Sequence, residues 1–312
     1  MGSGTRGNVI VIGTRRGTRA RQRTLERAAE RHLLTVVRRG AYADPDEFAD
    51  ASEVTRHRAF AHAVQYAARR QLVFSHATAA VLLGLPLVGT DLRDVHVRTG
   101  AASGHRSRNG IVRHSGAFPA SEVMVGGGLL VTSPELTAMD IAATADPRAG
   151  LIVIEHVLHA ENAFEVELDD LRRLHEERGS YRGCRRVADL LDLASSRSAS
   201  PLESLSRWQI RRFGFVQPQQ QRDYAGLSGA AYTVDFWWPS VDVIGEADGW
   251  GKYEERARER GITVEQVLRE EKRREDELRA QSHGFVRWEW SDAWAGDPLA
   301  AKLRRAGIPR VR

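Results

Sequence analysis

The chain has 312 residues, a single cysteine and a formal net charge of +5. One cysteine excludes an internal disulfide framework and a cysteine-rich zinc site, and it fits a reducing cytoplasm. No apolar run approaches the ~20 residues that span a bilayer, and Val9–Ile12 is too short for a signal-peptide core, so the expectation is a cytoplasmic protein with no membrane partner.

The length suits two domains with separate cores. Charge is unevenly spread: residues 1–40 carry ten arginines against two glutamates, a local +8 that leaves −3 for everything after it. Such a segment attracts polyanions, because each phosphate it neutralises releases condensed counterions. DNA is the partner this suggests, with Arg19, Arg21, Arg23, Arg38 and Arg39 as the contacting residues. A generally arginine-rich composition would give the same excess without a ligand.

Residues 1–18 read as a flexible basic lead-in. Apolar spacing predicts a helix over 24–34, and the β-branched residues after it, with Gly40, suit a small wing. A second helix is expected over 50–70, and a short one over 75–84, capped by Ser75 and ended by Gly84. Strand-like pieces at 94–98, 110–114 and 128–132 should make a small mixed sheet. Ser133-Pro-Glu-Leu opens a well-capped helix running through Ala143. Further helices follow over 148–159 and 165–193, the latter broken near 179–183. The polar run 195–200 marks the boundary, dividing a module at 19–194 from one at 195–312.

The second module reads as helix 201–213, a glutamine-rich strand at 216–224, two acidic strands, a charged helix over 264–282, a strand at 285–290 and a final helix from Asp297. Tyr232–Gly249 places Asp235 in one hydrophobic segment and Glu246 with Asp248 in the next, and Pro239-Ser240 can turn the chain between them. Glu246 and Asp248 share a side of their strand. Crowded carboxylates persist most readily around a hard divalent cation such as Mg²⁺. Two solvated acidic strand ends are the other reading.

This order, with Ser200-Pro-Leu-Glu-Ser204, Val234-Asp-Phe-Trp-Trp-Pro239, Gly245-Glu-Ala-Asp-Gly249 and Glu271–Leu278, resembles the PD-(D/E)XK nuclease superfamily, in its very-short-patch-repair-like branch. The resemblance implies an α/β restriction-endonuclease-like fold with a central mixed sheet. It also implies metal-dependent hydrolysis of DNA, with Mg²⁺, replaceable by Mn²⁺, held by Asp235 and Glu246. Asp248 becomes a second-metal ligand or a structural acid. Glu203 completes the site or, through Ser200-x-x-Glu203, serves a capping box. The family's lysine two residues after the glutamate is replaced by Asp248. Lys252 is the first substitute cation, Lys272 or Arg273 the alternative, and Gln221 is a further accessory candidate.

Arg38–Tyr42, Val73–Ala80, Leu83–Pro86, Val95–Val97 and Val131–Asp140 resemble the abortive-infection type IV antitoxin group. That implies an α+β module with partial winged-helix character that docks DNA, although the first helices of the winged motif are shortened or missing. His76, His96 and His114 lie in this half, and without an acidic or cysteine partner at ligand spacing they read as structural. Two functions stand: a DNA endonuclease with a DNA-binding module, or a non-catalytic, antitoxin-like DNA-binding regulator with a degenerate nuclease fold. A homo-oligomer or a defence-system partner is compatible with both, and RNA remains a second possible substrate.

Overall fold

A computed structural model describes residues 12–13, 19–100, 107–116, 118–162, 164–226, 229–248 and 257–311. They form two compact units, one of residues 1–157 with 164–192 and one of 158–163 with 193–312.

The first unit opens with β1 (Ile12–Gly13), α1 (Arg19–Glu30), β2 (Thr35–Arg38) and β3 (Ala41–Ala43). β2 and β3 form an antiparallel hairpin turned at Gly40, whose φ of 79° suits a residue without Cβ. β1 pairs with the other edge of β3, Ile12 opposite Tyr42. Part of the expected flexible lead-in is therefore a strand, because the β3 edge would otherwise leave peptide groups without partners. Residues 1–11 and 14–18 lie outside the described residues.

α2 (Pro45–Ala49) starts at Asp44, whose carboxylate accepts from the Asp46 and Glu47 amides. α3 (Glu53–Ala67) starts at Ser52, whose hydroxyl accepts from Thr55 N. Its small residues Ala59, Ala61 and Ala63 are buried, allowing close helix packing.

A five-stranded mixed sheet follows, from β4 (Val73–Phe74), β5 (Val95–Thr99), β6 (Ile111–Ser115), β7 (Val123–Gly126) and β8 (Leu129–Thr132), in the order β6-β5-β4-β8-β7. β4, two residues long, has no periodicity to read, yet it joins β5 to β8. α4 (His76–Leu83) leaves β4 and ends at Gly84 in the left-handed conformation. Ser75 occupies its N-cap position but caps nothing, since its hydroxyl faces the His76 ring instead. Phe74, Val95, Val97, Leu129 and Val131 make the sheet's core with Val64 of α3 and Leu82 of α4.

α5 (Pro134–Thr144) is capped by Ser133 as its sequence predicts, accepting from Leu136 N at 3.1 Å. α6 (Pro147–Leu158), α7 (Leu168–Arg178) and α8 (Cys184–Leu193) follow.

In the second unit, α9 (Pro201–Arg212) precedes β9 (Gln219–Ala225), β10 (Ala231–Trp238) and β11 (Val243–Asp248), and α10 (Val264–Gln281) precedes β12 (Gly284–Glu289). The sheet order is β12-β11-β10-β9, with β9, β10 and β11 antiparallel and β12 parallel to β11. The strand ends at Glu289 rather than Trp290, because Glu289 N donates to Asp292 Oδ2 at 3.0 Å and caps a short helix, α11 (Trp290–Ala295), before α12 (Asp297–Arg305).

α9 and α10 meet different sides of this sheet. Ser206 of α9 accepts from Trp288 Nε1 at 2.7 Å, while Leu278 of α10 packs with Val234 and Ile244. On the α9 side, Phe236 and Trp288 stack at 5.4 Å between centroids. Gly245 lets the tryptophans close over the strand: a Cβ there would stand 2.8 Å from the Trp288 ring and 2.9 Å from that of Trp238. Gly245→Ala should therefore destabilise the protein by about 1–3 kcal/mol through overpacking. Chemical denaturation followed by tryptophan fluorescence measures this.

Candidate functional site

The hairpin of β10 and β11 pairs Phe236 with Gly245 and thereby brings Asp235 and Glu246 to neighbouring positions at the end of the ladder. Asp235 Oδ2 accepts from Ala247 N at 2.8 Å. Glu203, in the first turn of α9, accepts from Ala199 N at 3.0 Å, from the Ser200 hydroxyl at 2.8 Å and from Gln221 Nε2 at 2.9 Å. Of the roles expected for Glu203, the contacts at the helix start are present, and its carboxylate also feels Asp235. Gln221 is a strand residue at φ 50°, an unusual conformation for a residue with a side chain, and its amide ends on Glu203.

Burial first, and then the Asp235 charge, pushes both Glu203 and Glu246 up to about 7. Glu246 is 7% exposed, and Arg274 of α10 reaches it with Nη2 to Oε1 at 2.8 Å and Nη1 to Oε2 at 3.4 Å. The ion pair raises Arg274 as expected, yet Glu246 also rises. Desolvation and Asp235 outweigh the guanidinium. Arg274 also donates to Thr233 O at 2.8 Å and Glu271 Oε1 at 3.1 Å, which fixes its orientation.

Asp248 lies on the Glu246 side of β11 but faces another cation, Arg287, at 3.8 Å. Arg287 in turn bridges Glu271 and Glu275, each at 3.0 Å. Lys272 and Arg273, the cations singled out on α10, are exposed, whereas Arg274 is half-buried. Helical phase decides this: Val267, Glu271, Arg274 and Leu278 form the stripe facing the sheet, and its buried ends were the available sequence signal. Lys252 lies outside the described residues.

These residues make a guanidinium–carboxylate site. Both Glu246 oxygens are engaged by Arg274, and one Asp235 oxygen by a backbone amide. Among the described residues, the set of three metal-ligating side chains gathered within 4.8 Å is not Asp235, Glu246 and Asp248 but His76, His96 and His114.

Those histidines, scattered in sequence, converge in the first unit. The register pairs Arg98 with His114, so by strand alternation His96, Arg98 and His114 share one face of the sheet. His96 Nδ1 and His114 Nε2 are 2.9 Å apart, and His76 stacks on His114 with centroids 3.5 Å apart and planes 15° from parallel. An acidic partner exists, contrary to the sequence reading: Asp140 Oδ2 is 3.4 Å from His76 Nδ1. It comes from α5, far along the chain, so local spacing could not show it. Arg98 Nη2 donates to both Asp140 oxygens at 2.5 and 2.7 Å, and Arg178 adds a third bond at 2.9 Å.

Burial first, then mutual repulsion, holds His76 well below its ordinary pKa and His96 down to about 4, and burial lowers His114. The imidazoles are therefore neutral at physiological pH. Face-to-face stacking points the in-plane lone pairs of His76 and His114 side by side rather than at one point, which is poor geometry for a shared metal.

Of the arginines expected on DNA, Arg21 and Arg23 on α1 and Arg39 beyond β2 are exposed. The Arg19 side chain lies outside the described residues. Arg38 is half-buried and donates from Nη1 to Asn109 O at 2.9 Å.

Residues 72–193, from β4 through α8, match the family described as the AbiEi antitoxin C-terminal domain. Two curated relatives, the uncharacterized proteins MT2308 and Rv2248 of Mycobacterium tuberculosis strains CDC 1551 and H37Rv, are each 29% identical over 119 residues. The match covers 38% of this chain and 43% of each relative, so the likeness spans under half of their length. This supports an antitoxin-like region in a mixed α/β protein, and among the described residues no helix is long and apolar enough to cross a membrane.

The two units should respond oppositely to pH. The histidines bind protons more weakly folded than unfolded, so the first unit loses stability as pH falls from about 6.5 toward 4. Glu203 and Glu246 bind protons more tightly folded, so the second unit loses stability as pH rises from about 4.5 through 7. Arg274→Met should cost about 2–4 kcal/mol at pH 8, where Glu246 is ionised, and markedly less at pH 5. Denaturation of wild type and variant at both values measures the difference.

Proposed function

We propose that the chain is an antitoxin-like DNA-binding regulator whose first unit docks the duplex backbone through α1 and the β2–β3 hairpin. The observation that carries the reading is the set of exposed arginines Arg21, Arg23 and Arg27 on α1, with Arg39 at the hairpin, on the unit that holds the antitoxin-like region. Guanidinium groups on a helix and an adjoining hairpin can bracket phosphates on both sides of a groove. The Glu246–Arg274 pair supports a regulator, since it satisfies internally a carboxylate that metal chemistry would need open.

A second reading, a metal-dependent phosphodiesterase in the second unit, is favoured by one observation: Asp235 lies close enough to two buried carboxylates, Glu203 and Glu246, to add to the rise that burial gives each. It requires Arg274 to leave Glu246.

Mobility shifts on duplex DNA should show binding that weakens about tenfold or more when Arg21, Arg23 and Arg39 are replaced together by alanine. The salt slope should fall by about 0.9 per lost phosphate contact. Plasmid DNA incubated with Mg²⁺ or Mn²⁺ should stay intact. Cleavage that chelator and Asp235→Ala both abolish would establish the second reading instead, and unaltered duplex binding by the triple variant would sink the first.

A further inference from the structure

The face of β5 and β6 opposite the histidines carries Val95, Val97, Thr99, Ile111 and Arg113, by the same register and alternation. It forms part of the lining of a cleft of about 620 Å³, within the roughly 300–1,000 Å³ of small-molecule sites. Five guanidinium-bearing residues line it: Arg38 from β2, Arg69 and Arg70 after α3, Arg108 before β6, and Arg113 within it. No carboxylate is among the lining residues. None of the five arginines forms an ion pair with a described residue, whereas Arg98, Arg178, Arg274 and Arg287 all do.

Apart from Thr99 the remaining lining is apolar, chiefly Val64, Leu72, Val97 and Ile111. Val64 and Val97 are core residues, 2% and 1% exposed, so the apolar floor is rigid. The bond from Arg38 to Asn109 O ties the hairpin to the tight turn before β6 and sets one wall. Arg38 is held below its ordinary pKa by burial and then by the charge of Arg113. Like charges thus face a shared space with no acid between them, an arrangement that an anion relieves.

We propose that this cleft binds a nucleoside phosphate, its phosphate on the arginine rim and its base on the half-buried Leu72 and Ile111, which the Val64–Val97 core backs. Arginine with an adjacent apolar surface suits both halves of such a ligand, since guanidinium pairs with phosphate in a bidentate fork and a base gains from a dry flat contact. The ligand is either a free nucleotide or one unit of a DNA strand, and both present the same chemistry. The cleft shares Arg38 with the β2–β3 hairpin, but none of Arg21, Arg23 and Arg39 lines it, so the inference stands without the duplex-docking reading.

Calorimetric titration of the full chain with ATP, with a ten-residue thymidine oligonucleotide and with inorganic phosphate tests it. At least one of the first two should bind at least tenfold more tightly than phosphate. Arg70→Ala and Arg113→Ala should each weaken that binding fivefold or more, and Ile111→Ser should weaken the nucleotide or oligonucleotide without changing phosphate. Arg70 is exposed, so its variant keeps the test informative should Arg113→Ala unfold. Binding of ATP identifies a free nucleotide, and binding of the oligonucleotide alone identifies a strand. Absence of binding by both, affinity no better than that of phosphate, or indifference to Arg70→Ala in folded protein would each overturn the proposal. Duplex shifts measured in parallel keep this result distinct from failure of the α1 surface.

Discussion

A buried charge must be answered by another charge or by several hydrogen bonds, and this constraint shapes both units. Asp140 is the clearest case. It is 1% exposed on a largely buried helix, and it is neutralised by Arg98 from β5 and Arg178 from the end of α7. Strand, central helix and following helix are thus joined at one carboxylate. Burial chiefly keeps the histidines beside it neutral, and at His76 the neighbouring imidazoles and then the two guanidiniums add to the effect. A positive φ of 51° at His76 shows that backbone comfort yields to this packing.

In the second unit the same constraint has a different solution. Asp235 and Glu246 are brought to neighbouring positions by the hairpin, Glu203 faces them from α9, and a single guanidinium answers Glu246. The repulsion is only partly relieved, and two carboxylates remain pushed up to about 7. Of the helix's many charges, Arg274 answers Glu246, and Glu271 and Glu275 answer Arg287 of β12. Arg269 on the same helix instead forms an exposed pair with Glu265, which contributes little to stability.

Much of the architecture was legible because it rests on local rules. Ser133 with Pro134 marks the start of α5, Gly84 ends α4, and alternation around Pro239-Ser240 marks the β10–β11 hairpin. β4 was not legible, because two residues carry no period and it exists only through pairing with β5 and β8. The short β1 is a similar case, formed by the open edge of β3. Ser75 had the composition of a cap, yet the stacked imidazole beside it claims its hydroxyl.

The sequence by itself determined which residue types could carry chemistry, that Asp235 and Glu246 would be neighbours, and that the basic charge would gather near the start of the chain. These follow from strand pairing across a short turn and from composition, both local properties. Tertiary structure alone decided that Arg274, rather than Lys272 or Arg273, meets Glu246, since one residue along a helix turns a side chain by about 100°. It also decided that three distant histidines meet one another, with His76 against Asp140, and that five arginines from separate segments line one cleft whose lining holds no acid. Those arrangements depend on which faces of distant elements are buried together, and no local spacing encodes them.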